Sequence, residues 1–363
     1  MKTYKISLLS IACISVSLLV ADFFSGGSSK DIVIYSSIED YRSEELRRNL
    51  DIKFPNYNII IQYLDTGTMV SRLLNEGKGT DCDIFLGLES TNAQILLNFN
   101  SNLFEDLSKF PEYNTLKYDS SVLPPSDING FIDGNLAYHI WCKEAGSIIL
   151  NTEYLIKNSL PEPTSFNDLL NPIYKNSIMM PNPKTSGTGY YFLNGLVSCW
   201  GEDIAFKYFE ELSKNIKEFS TSGSGPVKAI DRGEIGIGLG MNFQAVKYAN
   251  ENPDIKIIYF EEGSPYSLYT MGIINGKVKQ QGVKEVYDYI YGINDPFNEP
   301  NSLDIGFTRL DKMLFNPEII YKYEYTPVCL IPNYPDVYSI KYIEMKGIFL
   351  PEHKNNLLNK WRF

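Results

Sequence analysis

Apolar positions along this chain recur with two periods, and the alternation between those periods outlines a fold. Asp31 to Ser36 (DIVIYS), Asn58 to Leu64 (NIIIQYL) and Cys82 to Leu88 (CDIFLGL) are short, rich in β-branched residues and bounded by polar ones, which predicts buried strands. Between them, Glu39 to Phe54 sets Tyr41, Leu46, Leu50 and Phe54 at helical spacing, and Asp65-Thr66-Gly67-Thr68 opens a second helix to Asn75. Three rounds of strand and helix predict parallel βαβ units, and ligands of such sheets bind beyond the carboxyl ends of the strands. Ser37, Thr66, Gly67, Thr68, Glu89 and Ser90 stand at those ends and are candidate ligand residues.

Pro124-Pro125 and Asn129-Gly130 break the pattern, and Leu136 to Asn151 follows as apolar strand suited to a crossing between lobes. The alternation then resumes. Ser177 to Met180 and Ile235 to Leu239 read as strands. Tyr190 to Cys199, Glu202 to Lys214 and Val227 to Arg232 read as helices, the second carrying Ile204, Phe206, Tyr208, Phe209 and Leu212 on its apolar side. Ile255 to Phe260 and Leu268 to Ile274 are strands that return the chain to its first lobe. The expected fold class is therefore α/β with two lobes rather than one continuous sheet. The first lobe covers 31–130 and 265–310 and the second 131–264, with crossings near 131–138 and 261–269. A C-terminal segment, 311–363, is left without a lobe.

Candidate chemistry concentrates between Met180 and Gly240. Two loops of hydroxyl residues and glycine, Thr185-Ser186-Gly187-Thr188 and Thr221-Ser222-Gly223-Ser224-Gly225, each precede an apolar-periodic run. A glycine loop that opens a helix leaves backbone N–H groups and the positive end of the helix dipole facing outward, so two such loops meeting at one point would hold an anion. Ser, Thr and Gly also favour ordinary caps and turns for purely local reasons, and each loop alone is compatible with that. Gly77-Lys78-Gly79-Thr80 lacks the earlier glycine and the leading strand of a phosphate loop. Gly236, Gly238 and Gly240 alternate along a strand and do not open a helix, so they form no dinucleotide fingerprint. Tyr190-Tyr191 invites a phenolate-iron reading, yet adjacent residues on a helix point about 100° apart.

Composition narrows the function. A net charge of -11 without a basic run argues against nucleic acid as a partner. Two histidines, His139 and His353, argue against imidazole-based hydrolysis or a His-rich metal site. Lys2 and Lys5 precede the uncharged run Ile6 to Val20, followed by small and polar residues to Lys30, in the order of an export signal. Cleavage, lipidation at Cys13 and retention of 1–30 as an anchor all stay open, as does the pairing of the remaining cysteines, 82, 142, 199 and 329.

The passages PEPTSFNDLL, YKNSIMMPNPKTSGTGY, GEDIAFKYFEEL and TSGSGPVKAIDRGEIGIG resemble the extracellular solute-binding proteins of ABC importers, in the branch of ferric iron, thiamine, phosphonate and hexose-phosphate carriers. The likeness extends from DIVIYSS to NNLLNKWRF and is nearest in character to the hexose-phosphate carriers. It implies a two-lobed periplasmic-binding-protein-like fold of type II, with the ligand cleft between the lobes. It further implies a monomer outside the cytoplasmic membrane that hands a small anionic, phosphorylated solute to a permease, with no cofactor and no catalysis. On the matching positions, Thr185, Ser186, Gly187, Thr188, Ser222, Gly223, Ser224 and Gly225 look like the phosphate-binding turns, and Ser37 like another ligand-facing residue. Asn242 and Gln244 stand where related carriers place other ligand groups. Where ferric carriers have a tyrosine pair this chain has Met241-Asn242-Phe243-Gln244, and where the sugar branch has a His-Asp pair it has Phe243-Gln244. Near the first strand, Ile38-Glu39 replaces a common histidine. The implied metal content is therefore none. Ferric iron, thiamine or its phosphate, an anchored sensor and an enzyme on the same fold remain the alternatives.

Overall fold

The computed structural model describes residues 31–113, 137–291 and 340–363. Expectations for 1–30, 114–136 and 292–339, including the export signal, Cys13 and Cys329, lie outside the described residues.

The first half follows the predicted alternation. Strands β1 (Asp31–Ser36), β2 (Asn58–Tyr63) and β3 (Ile84–Glu89) enclose helices α1 (Asp40–Lys53) and α2 (Thr66–Glu76), and α3 (Ser90–Phe99) follows β3. β1 lies parallel between β2 and β3, with Ile34 opposite both Ile61 and Ile84. Its residues Ile32 and Ile34 are fully buried, and Leu46 and Leu50, one turn apart on α1, join them in one core.

The second half contains β4 (His139–Asn151), α4 (Thr152–Lys157), β5 (Ile178–Pro181), α5 (Gly187–Trp200), α6 (Glu202–Ser213), β6 (Ile216–Ser220), α7 (Gly225–Asp231), β7 (Ile237–Met241), α8 (Asn242–Glu251) and β8 (Ile255–Ile258). β9 (Tyr266–Ile273), α9 (Val283–Tyr291) and α10 (Pro351–Lys360) complete the described elements. β5 lies between β6 and β7 and parallel to both.

The two halves share one strand. Up to Ala145, β4 runs antiparallel to β9, which in turn pairs with β3. From Gly146 onward it pairs with β7 and, at its other edge, with β8. The hydrogen-bonded path β2-β1-β3-β9-β4-β7-β5-β6 is thus continuous, contrary to the expected pair of separate sheets, because β4 is long enough to serve both lobes. The chain changes sheet within β4 rather than before it, and again between Ile258 and Tyr266.

Gly146 sits where the sheets meet. A Cβ there would stand 2.8 Å from the Phe192 ring and 3.0 Å from Pro265, so only glycine fits. Gly146 N donates to Pro265 O at 2.7 Å, and Ser264 Oγ donates to Gly146 O at 2.5 Å, fastening the two crossings together.

The C-terminal segment now has a place. α10 touches both halves: Lys354 pairs with Glu89 of the first, while His353 Nε2 lies 2.8 Å from Asn194 Oδ1 on α5 of the second. Cys82 is a buried free thiol and Cys199 an exposed one, while Cys142 is buried.

Candidate functional site

β5 and β6 are adjacent and parallel, with Pro181 opposite Ser220, so the loops that follow them emerge side by side from the same edge of the sheet. These are the two hydroxyl-glycine loops. A Cβ on Gly223 would stand 2.4 Å from Thr188 Oγ1, which puts the loops in contact.

In the first loop, Asn182 O accepts from Thr185 N (3.1 Å) and Ser186 N (2.9 Å). Ser186 is extended and caps α5, its Oγ accepting from Gly189 N at 3.5 Å. Gly189 lies so close to the turn that a Cβ would come 2.4 Å from Pro181 O. The first intrahelical bond runs from Tyr190 N to Ser186 O, so the N–H groups of Gly187 and Thr188 are not used within the helix. In the second loop, Ser220 Oγ donates to Ser222 O at 2.9 Å, and Ser222 Oγ lies 3.4 Å from Ser224 Oγ. α7 has only 7 residues, against 14 in α5, so the stronger dipole comes from α5 alone.

The wall facing these loops is built from both lobes. A Cβ on Gly187 would lie 2.8 Å from Tyr269 Oη on β9. Around it stand Glu144 of β4, Tyr191 of α5, Asn242, Phe243 and Gln244 of α8, Tyr259, and Glu39 and Arg42 at the start of α1. Gln244 Nε2 donates to Glu39 Oε1 at 2.8 Å across the lobes. Arg42, 1% exposed, sets Nη1 at 3.3 Å from both Glu39 Oε2 and Glu144 Oε1, and its guanidinium lies over the rings of Phe243 and Trp141 at 4.5 and 4.9 Å.

Four buried polar atoms of this wall lack a hydrogen bond of good geometry: Tyr191 Oη, which has Thr188 beside it, Tyr259 Oη and Asn242 Nδ2, which face each other, and Gln244 Oε1. An unpartnered buried donor or acceptor costs about 1–3 kcal/mol, so four around one crevice mark a place built for a polar occupant. Elsewhere such atoms include His139 Nε2 against Tyr291 and Trp361 Nε1 among Phe209, Phe219 and Phe363.

Burial raises the phenols of Tyr191 and Tyr269 well above their ordinary value, and the Glu144 carboxylate adds to the rise. Burial likewise raises Tyr259. All three stay protonated at neutral pH and face the crevice as hydroxyls. Tyr190 does not share this crevice: burial and then Glu89 raise its phenol, and Lys354 lies over its ring at 4.7 Å.

The residues expected at the ends of the first three strands have other partners. Ser37 Oγ donates to Gly87 O at 2.5 Å, beneath a glycine with φ +80°. Thr68 N and Oγ1 donate to Asp65, at 2.9 and 2.6 Å, so the α2 terminus with Thr66 and Gly67 is capped by an acid. Glu89 is held by Lys354 and by Ser267 Oγ at 3.4 Å, and Ser90 Oγ donates to Ile348 O at 2.8 Å. These side chains build the first lobe and seat the C-terminal segment.

Sequence reasoning missed Arg42, Trp141, Glu144, Tyr259 and Tyr269, which carry no local motif. In the sequence Glu39 stands out only as the replacement of a common histidine, and Tyr191 only as half of a tyrosine pair. A cavity of about 370 Å³ lies elsewhere, lined by Leu170, Trp200, Ile204 and Tyr208 with Asn167, Lys207 and Glu211. Its lining is mostly apolar and it brings no cluster of unpartnered polar atoms.

Comparison with known proteins bears on this crevice. A family described as bacterial extracellular solute-binding protein matches residues 93–294. An uncharacterized protein of Haemophilus influenzae is 32% identical over 142 residues, 39% of this chain, and the match spans 41% of that relative. Among solved structures, AfuA from Actinobacillus pleuropneumoniae with exogenous fructose-6-phosphate bound is similar at a TM-score of 0.69 and 20% identity, covering 92% of this chain and 98% of that one. The periplasmic binding protein P5PA gives 0.68 and 19%, covering 91% and 98%. The apo ferric ion-binding protein A of Pasteurella haemolytica gives 0.63 and 14%, covering 91% and 96%. At these identities the likeness establishes the fold, that of two-lobed periplasmic binding proteins.

Proposed function

Because the chain belongs to the bacterial extracellular solute-binding proteins, we propose that it captures a small anionic, phosphorylated organic solute between its lobes and delivers it to the permease of an ABC importer. The observation that carries this reading is the cluster of four unpartnered polar atoms beside two adjoining hydroxyl-glycine loops. The loops offer neutral donors and the positive end of α5 to the anion, which needs no basic residue. Tyr191, Tyr259, Asn242 and Gln244 offer mixed donors and acceptors to the uncharged remainder. The lobes close by movement at β4 and at Ser264–Pro265, and the ligand stabilises the closed form through contacts made with both lobes. The protein works outside the cytoplasmic membrane, with residues 1–30 as its export signal or anchor. Among the described residues, no helix is long and apolar enough to cross a membrane.

Tyr191→Phe tests the reading by calorimetric titration with fructose 6-phosphate and inorganic phosphate as probes. Affinity for the ester should fall about tenfold, or about 1.4 kcal/mol, while ligand-free stability holds or rises because an unpartnered hydroxyl has gone. Unchanged affinity together with lost stability would make Tyr191 a core residue and remove the basis of the proposal.

The cluster of tyrosines supports a second reading, ferric iron. Ferric iron demands phenolates, whereas Tyr191, Tyr259 and Tyr269 are all held toward the phenol form. A visible tyrosinate-to-iron charge-transfer band on adding ferric citrate would favour iron over the phosphate ester.

A further inference from the structure

We infer that Phe243 and Gln244 form, with Glu39 and Arg42, an inter-lobe latch that holds the protein largely closed before any ligand arrives. Glu39 and Arg42 open α1 in the first lobe, and Phe243 and Gln244 open α8 in the second. Two contacts join them. Gln244 Nε2 donates to Glu39 Oε1 at 2.8 Å, and the Arg42 guanidinium lies 4.5 Å from the centre of the Phe243 ring and 4.9 Å from that of Trp141.

Three features make this a latch rather than an incidental touch. Three of the four participants are sealed from water, with Arg42 and Phe243 each 1% exposed and Gln244 2% exposed, and Glu39 is 20% exposed, so opening must rehydrate the guanidinium, the ring and the amide. A hydrogen bond to a charged acceptor is stronger than a neutral one, and a cation over an aromatic face gains most when desolvated. Glu39 also holds Arg42 at 3.3 Å, and Glu144 holds it at the same distance, so the acceptor is presented in one place. A carboxylate only accepts, so Glu39 dictates that the amide turns its NH2 toward α1 and its oxygen toward the crevice. That oxygen is the unpartnered Gln244 Oε1. Closure and the presentation of a ligand acceptor are thus two ends of one amide.

The inference rests on the reading that the lobes open and close about a solute, but its test needs no solute and so can fail independently. Nitroxides on Glu44→Cys and Lys228→Cys, both exposed and in opposite lobes, report the inter-lobe distance by double electron-electron resonance. Cys13→Ser, Cys199→Ser and Cys329→Ser keep the label specific in the full chain. Ligand-free protein should show a dominant short distance. Gln244→Ala should lower the closed-to-open ratio about tenfold, and Gln244→Glu, which faces one carboxylate with another, further still. Adding Glu39→Gln to Gln244→Glu should recover most of the short population, because the amide and carboxylate have then exchanged sides. Circular dichroism identifies any variant that has lost its fold, and Gln244→Ala, the mildest change, then decides. A ligand-free protein found wholly at the long distance, a ratio moved less than twofold by Gln244→Ala, or no recovery on exchange overturns the latch.

Discussion

Tyr190 and Tyr191 are neighbours on α5 yet enter two different buried polar clusters, and the two clusters are finished differently. Around Lys354, both oxygens of Glu89 have donors, Lys354 itself and Ser267, while Ser90 and Thr91 share the carbonyl of Ile348 at 2.8 Å each. Around Tyr191, four polar atoms stay unpartnered although the charged groups beside them are paired. The two tyrosines are equally buried, at 2% and 1% exposed. Each place leaves a buried phenol unpartnered, Tyr190 Oη in the first and Tyr191 Oη in the second, so the difference is one of number: one such atom beside a strut that joins the C-terminal helix to both lobes, against four on a surface that a ligand can complete.

Removing one partner from the finished cluster is the strongest way to sharpen this contrast. Lys354→Met leaves Glu89 buried without its cation and should destabilise the fold by about 3–5 kcal/mol, read by urea unfolding of the ligand-free chain. A loss below 1 kcal/mol would mean that the α10 strut is ornamental. The same measurement on Tyr191→Phe should show no loss, and that opposite behaviour is the contrast itself.

His139 extends the comparison to a group buried in its neutral form. Burial lowers its pKa to about 3, and Nδ1 lies 2.7 Å from the Tyr287 hydroxyl. The unfolded chain takes up a proton near the ordinary value of 6.5 and the folded chain does not. This contribution is therefore present above about pH 6.5 and lost as pH falls toward about 3, at roughly 1.4 kcal/mol per pH unit. Urea midpoints across that range should fall more gently in His139→Gln, and parallel slopes would break the assignment.

The smallest expected effect separates helix capping from ligand binding within the first loop. Ser186→Ala removes the cap of α5 and should cost about 1 kcal/mol of stability in the absence of ligand. Its hydroxyl is partly committed to Gly189 N, so the affinity for fructose 6-phosphate should drop only a few fold, less than for Tyr191→Phe. A larger drop than in Tyr191→Phe would place the ligand closer to the loop than the unpartnered atoms suggest.

Much of the fold was legible because it is written in short-range patterns. β1, β2 and β3 follow from β-branched runs, and the hydroxyl-glycine loops follow from Ser, Thr and Gly at the ends of predicted strands. β6 escapes the local pattern because Lys217 and Glu218 interrupt its apolar run and both are exposed. α8 escapes the local pattern as well, because it opens at Asn242-Phe243-Gln244 with Met241 at its N-cap and no capping side chain. Ser37, Glu89 and Ser90 were placed at the correct strand ends, but position at a strand end does not say whether a hydroxyl or carboxylate is already engaged.

The sequence by itself determined the alternation of strands and helices, the presence of two anion-suited loops and the likeness to exported solute carriers, because periodicity, caps and turns depend on residues close together in the chain. Only the tertiary structure decided that β4 serves both lobes, that Glu89 belongs to Lys354, and that Glu39 meets Gln244 from 205 positions away. Those outcomes depend on which side chains from distant segments share a buried space, and on whether each then finds a partner there. No local pattern carries that information.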